Sequence, residues 1–296
     1  MARPMPRLAP VIIAVLVIFM MTSVILLAAT LFSADLKVDH ITIAGRDLKQ
    51  LQATFNAAGI HSEYGGKHSN GLTEMAIASF QDGSYLELIA AQTPTGAAKH
   101  YWGKFIDGDA GPCAWAISVP DIAAAGIGEH AGKSGRLRPD GVALEWESAS
   151  VGPEAQGTFF PFLIHDLTPR ERRAFPQGKP SEPKFAGVGL VVIGVRDLDA
   201  AIARYQAKFH LAAPQKQDDR QLKLHLAAFA GTPVVLASPS SGQSTLAARL
   251  EKFGESPYLF VLDQADRTFG GGLGGSEWFG RNIIWMSGLD IGVRGR

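Results

Sequence analysis

Apolar and polar positions alternate along LKVDHITIAG, residues 36–45, which predicts a half-buried strand. The next stretch, RDLKQLQATFNAAG, spaces Leu48, Leu51 and Phe55 along one face of a helix, and Gly59 supplies its stop. A short strand follows near residues 60–64, then a turn at Gly65-Gly66 and a strand from Thr73 to Phe80. A second turn at Asp82-Gly83 leads into a strand from Tyr85 to Ala91. The predicted unit is therefore β-α-β-β-β.

The same order recurs with decreasing clarity. After Gly111-Pro112, CAWAISVPDIAAAGIG again reads strand then helix, and strands near 142–148 and 157–165 complete a second unit. TPRERRAFPQGKPSEPK, residues 168–184, is polar and Pro-rich and reads as a linker. FAGVGLVVIGVRDLDAAIARYQAKFHL opens a third unit, its VVIGVRDL a near copy of the earlier ITIAGRDL. PYLFVLDQADRTF, the Gly-rich 270–275 and RNIIWMSGLDIGV form a truncated fourth. One such unit covers only one face of its sheet, so units pair around a shared cleft. Four units make two pairs, matching the two domains expected of 296 residues. The predicted class is α+β, with domains at 36–167 and 185–296. Whether a cleft closes within one chain or between two chains is left open by the pattern.

Residues 8–34 carry no charged side chain and are long enough to span a bilayer as a helix. Arg3 and Arg7 precede the run while Asp35 and Asp39 follow it. The positive-inside rule then makes residues 1–35 a membrane anchor with the rest of the chain outside the cytoplasm. A cleavable signal segment is the competing reading, but cleavage after Ala34 would put bulky Phe32 at the third position before the cut. The 28 basic and 28 acidic residues balance, without a basic run, which argues against a nucleic-acid partner. Cys113, the single cysteine, excludes an intrachain disulfide and a cysteine-based zinc site.

Six motifs carry chemistry: DHITIAGRDL (39–48), GGKH (65–68), GSYLELIA (83–90), GPCAW (111–115), RPDGVALEW (138–146) and FPFLIHD (160–166). Together they resemble the glyoxalase-like branch of the vicinal oxygen chelate superfamily. The resemblance implies curled mixed sheets built from tandem βαβββ units and a divalent metal, Zn, Ni, Mn or Fe, inside the cleft. It assigns metal ligation to a His on a unit's first strand and a Glu on its last, here His40 and Glu87. In the second unit Ala114 and Pro161 fall at those places, and in the third Leu190 and Val235 do; none is a ligand. His165, four residues past Pro161, and His68 are the candidates for a third ligand or a general base, and Glu87 and His68 are the candidate catalytic residues.

Each residue also has a plainer reading. His40 fits a buried, hydrogen-bonded histidine, Glu87 a carboxylate facing a solvated cleft, His68 a surface histidine in a turn, and His165 an exposed strand end. Trp115 and Trp146 read as core or as lining of the substrate cleft. Arg138, in an Arg-Pro-Asp-Gly turn, is a candidate anion contact. Two functions follow: a membrane-anchored, metal-dependent lyase, isomerase or dioxygenase acting on a small oxygen-rich substrate, or a metal-free protein that binds or sequesters a small molecule.

Overall fold

The computed structural model describes residues 36–93, 95–265, 274–279, 281–286 and 291–294. The predicted anchor at 8–34 lies outside the described residues. Among the described residues no helix is long and apolar enough to cross a membrane.

The first unit comprises β1 (Val38–Ala44), α1 (Leu48–Ala57), β2 (Glu63–His68), β3 (Thr73–Ser79) and β4 (Tyr85–Ala91). Two short helices, α2 (Gly96–Lys99) and α3 (Gly103–Asp107), lead to the second unit. That unit is β5 (Gly111–Ser118), α4 (Ile122–Ala125), β6 (Glu129–Leu137), β7 (Ala143–Ser150) and β8 (Phe162–Asp166). The eight strands close into a barrel in the order β1-β4-β3-β2-β6-β7-β8-β5, so the two units share one interior within a single chain. Asp47 starts α1, its carboxylate accepting from the Gln50 N–H, as a helix N-cap should.

Beyond a short helix α5 (Arg170–Ala174) comes a second set of elements. It contains β9 (Phe185–Gly194), α6 (Leu198–Phe209), β10 (Gln215–Asp219), β11 (Leu224–Ala228) and β12 (Val234–Pro239). It continues with α7 (Thr245–Phe253), β13 (Ser256–Gln264), β14 (Gly274–Trp278), β15 (Arg281–Met286) and β16 (Ile291–Arg294). Its sheet runs β10-β11-β12-β9-β13-β16-β15-β14, the barrel's own strand sequence opened out. Leu190 and Val235, at the places of His40 and Glu87, are packed in an apolar cluster with Val192, Leu224 and Leu226. The corresponding interior of the second sheet is filled with hydrocarbon.

Two local expectations are corrected, and one strand is added. Gly65-Gly66 is not a turn but lies inside β2, where the register against β3 slips between Tyr64 and Gly66. This is a β-bulge: Gly66 has φ +109°, and a Cβ there would collide with the Leu137 carbonyl oxygen of β6. Residues 129–137, too polar to announce a strand, form β6, mostly exposed along its length. The Pro-rich segment 168–184 is no simple linker, because it carries α5 and buries Arg173 almost completely.

The two halves are joined by one apolar cluster in which Ile41, Ile43 and Phe55 meet Val191, Ile193 and Tyr205. Tyr205 anchors this junction, its hydroxyl donating to the Phe159 carbonyl oxygen at 2.5 Å and its ring packing 5.0 Å from that of Phe160. Tyr205→Ala opens a cavity where barrel and sheet meet and is expected to cost about 3–5 kcal/mol, as for other buried aromatic truncations. Tyr205→Phe should lose roughly 1 kcal/mol, the net worth of the hydrogen bond. Urea denaturation midpoints at constant slope check both.

Candidate active site in the barrel

Side chains alternate across β1, so Ile41 and Ile43 join the core under α1 while His40 faces the barrel interior. A register slip between Val38 and His40 makes a bulge at Asp39, which brings two consecutive side chains into the same network. Asp39 is fully buried and accepts from His40 Nδ1 at 2.6 Å. Arg173 Nη2 donates to its other oxygen at 2.6 Å, and Arg170 binds that oxygen as well. Burial alone would push the Asp39 carboxyl up; Arg170 and Arg173 overcome this and hold it well below the usual carboxylate range. As an acceptor only, it fixes the Nδ1–H form of His40 and leaves Nε2 facing inwards.

Glu87 lies two residues along β4 from Tyr85, paired across the parallel ladder with Thr42. The Thr42 hydroxyl donates to Oε2 at 2.8 Å, and His40 Nε2 stands 3.6 Å from the same oxygen. His68 Nε2 approaches Oε1 at 3.3 Å, while its Nδ1 meets the Thr73 hydroxyl at 2.9 Å. That hydroxyl can donate or accept, so His68 can present either tautomer to Glu87. Burial raises the Glu87 carboxyl, but the His68 hydrogen bond, the two imidazoles' charge and Thr42 bring it down to about 2. The carboxylate is thus ionised in a cavity of about 220 Å³.

The remaining wall is aromatic and basic. The Tyr85 ring stacks on His40 at 4.9 Å, and Phe162 meets His40 edge-on at 5.3 Å. Trp102 and Trp146 also line the cavity. Phe162, paired with Ala116 as Glu87 is with Thr42, takes the glutamate place of the second unit, one residue on from the expected Pro161. The second unit therefore puts a phenyl ring where the first puts a carboxylate.

His40, His68, Glu87 and Trp146 share the cavity. His165 does not: Phe162 and Ile164 line it, Leu163 belongs to the core beneath, and His165 continues the Leu163 side of β8. Trp115 is wholly buried in the same core, under the barrel wall. Arg138 points away too, binding Asp140 at 2.5 Å and the Arg172 carbonyl at 3.1 Å. Sequence reasoning missed Asp39, Arg136, Arg173 and His100. Only Asp39, an acid inside an apolar run, left a signal.

In donor chemistry the set fits a divalent ion. A carboxylate stands at each ring nitrogen of His40, so its Nε2 needs a cation, a proton or a metal, between it and Glu87. The separations of 3.3 and 3.6 Å match the roughly 3.4 Å expected between tetrahedral ligands bonded at about 2.1 Å. The two histidines nevertheless address different oxygens of Glu87. Among the described residues no group of three or more His, Cys, Asp or Glu side chains is arranged to hold an ion.

His100 adds a pH-sensitive element. Its Nδ1 accepts the Trp102 N–H at 3.1 Å, and burial, aided by the nearby His68, pushes its pKa down to about 4. The folded state thus binds fewer protons than the unfolded chain between about 6.5 and 4. The resulting stability is complete above that window and lost as pH falls through it. Thermal melts from neutral to acid pH should show this loss, and His100→Asn, which keeps an acceptor for the Trp102 N–H but cannot protonate, should flatten it.

A model of the glyoxalase-like domain family matches residues 38–209, more than half of the chain. A search of curated proteins gives no match. Among solved structures, a hypothetical protein from Staphylococcus aureus aligns over 87% of this chain and 98% of its own at 14% identity, with a TM-score of 0.59. Methylmalonyl-CoA epimerase from Mycobacterium tuberculosis aligns over 38% of this chain and 88% of its own, at 18% identity and a TM-score of 0.31. The Streptomyces coelicolor epimerase in complex with 2-nitronate-propionyl-CoA gives 36%, 94%, 17% and 0.30 for the same quantities. The first of these shows a shared fold, and the family match, on the barrel just described, makes the chain a member of the glyoxalase-like domain family of the vicinal oxygen chelate superfamily.

Proposed function

We propose that the barrel is a divalent-metal-dependent enzyme site acting on a small oxygen-rich substrate by lyase, isomerase or dioxygenase chemistry. The observation that carries this reading is His40 held between two ionised carboxylates, with His68 at the far side of Glu87. Two imidazoles and a carboxylate on strands are a donor set suited to Zn, Ni, Mn or Fe(II). A bound ion supplies Lewis acidity toward substrate oxygens. The chain's own groups supply the rest. Asp39 and Thr73 orient the two imidazoles, Thr42 orients Glu87, and Trp102, Trp146 and Phe162 restrict water. Glu87, at about 2, is too acidic to collect a proton near neutral pH and acts as a fixed charge, while His68 would supply either the third ligand or, where left unligated, the general base.

A second reading is a metal-free binding or sequestering protein. The aromatic wall favours it, as does the approach of the two histidines to separate Glu87 oxygens. Under either reading, the apolar run at 8–34 would hold the site at a membrane, outside the cytoplasm, by the charge asymmetry of its flanks.

Elemental mass spectrometry of the full chain, purified without a polyhistidine tag, separates the two. The enzyme reading expects about one divalent ion per chain, removed by chelator with a drop in melting temperature, and lost in His40→Ala and Glu87→Ala. Metal-free protein that stays metal-free after incubation with Zn, Ni, Mn and Fe(II) would leave the binding-protein reading.

A further inference from the structure

Arg136 sits directly across the β2–β6 seam from His68, so both side chains project to the same face of the barrel. It lines the cavity and is only 5% exposed. Its guanidinium donates to two carbonyl oxygens, those of Gly65 and Arg173, the latter at 2.7 Å. Among the described residues it forms no ion pair, in contrast to Arg173, whose charge is matched by Asp39 and Asp166. A guanidinium has five N–H donors, and two are accounted for. Burial lowers its pKa to about 10, with Arg173 and Arg138 also repelling its charge and Tyr85 and Glu87 offsetting them only in part. A buried cation with no carboxylate in hydrogen-bond contact is costly, and Arg136 shares its cavity with Glu87, the one nearby counter-charge that acts on it among the described residues.

An open groove beside the seam is lined by Lys67 and Lys133, with Glu145 as its acidic member, and it shares His68, Ser134 and Arg136 with the cavity. Two exposed lysines at its sides favour the approach of negative charge.

We propose that Arg136 receives a carboxylate of the ligand, which makes the ligand a small organic acid that enters between β2 and β6. The planar fork of arginine matches a carboxylate in two parallel hydrogen bonds. The acid's other oxygens lie toward His40, His68 and Glu87, while its carbon skeleton packs on Trp102, Trp146 and Phe162. At about 220 Å³ the cavity is smaller than a drug-sized site, which restricts the acid to a single ring or a short chain. This assignment rests on the barrel being a small-molecule site and is independent of whether a metal occupies it.

The test compares 3,4-dihydroxybenzoate with 3,4-dihydroxybenzamide, which share ring and diol but differ in charge. Binding to the full chain is read by titration calorimetry and thermal shift, once after chelation and once with added Zn. The acid is expected to bind on the order of tenfold tighter than the amide in whichever state binds the diols. Arg136→Gln removes that preference. Arg136→Lys keeps the charge but loses the fork, and its affinity for the acid falls several-fold; it also serves if the Gln variant does not fold. Equal binding of acid and amide, binding of neither in both states, or an acid preference unchanged in both variants overturns the proposal. A metal effect with no acid preference removes the Arg136 assignment alone, and an acid preference with no metal effect removes the metal reading alone.

Discussion

A single buried carboxylate, Asp39, organises this site from outside the cavity. It binds His40 through one oxygen and Arg170 and Arg173 through the other, so three groups from β1 and α5 share one charge. Burying an ionised group without such partners costs several kcal/mol, and removing one member of a buried pair typically costs about 3–5 kcal/mol. The network is therefore held in one arrangement. Arg173 extends it to the Tyr85 hydroxyl at 2.6 Å and to Asp166 at the end of β8. His40 is consequently oriented by the segment that follows the barrel, through contacts more than 130 residues apart in sequence.

This arrangement explains which parts of the site could be read from the sequence. His40 and Glu87 sit on β1 and β4, where alternation is strong, and a histidine and a glutamate among apolar neighbours are conspicuous. His68 was harder, because Gly65-Gly66 has the composition of a turn. The same glycines serve a bulge, which needs positive φ and leaves no room for a Cβ, and the strand continues through His68. Arg136 lies in EHAGKSGRL, whose polarity reflects an exposed strand that turns only Arg136 fully inward. No hydrophobic period could announce that strand. Arg170 and Arg173 fall in a Pro-rich stretch with the composition of a linker, and only tertiary pairing with Asp39 makes α5 part of the site.

The misplaced candidates share another cause. His165 was placed by counting two-residue steps from Pro161, but the residue equivalent to Glu87 is Phe162. A strand register wrong by one residue reverses every side chain, and His165 falls on the Leu163 side. Arg138 and Arg136 differ by two positions on the same segment, yet β6 ends at Leu137 and the chain turns at Asp140-Gly141. Beyond the strand's end the alternation no longer fixes direction, and Arg138 turns back to its own hairpin and to the α5 region.

The repeated architecture also shows why, among the described residues, the paired inward places of one unit alone carry a histidine and a carboxylate. The first three repeats offer the same two inward places, which hold His40 and Glu87, Ala114 and Phe162, and Leu190 and Val235. Glu87 stays ionised only because Thr42, His68 and His40 surround it, and His40 in turn needs Asp39 and two arginines. Duplicating the glutamate alone would bury an unpaired charge, and duplicating the whole apparatus would need a second α5. Apolar residues at the other places avoid that cost, and in the barrel they do more. Phe162 packs edge-on against His40, so the degenerate unit supplies the wall that keeps water from the charged one. Phe162 in one unit thus strengthens the electrostatics of the other, since an interaction between charges grows as water is excluded from between them.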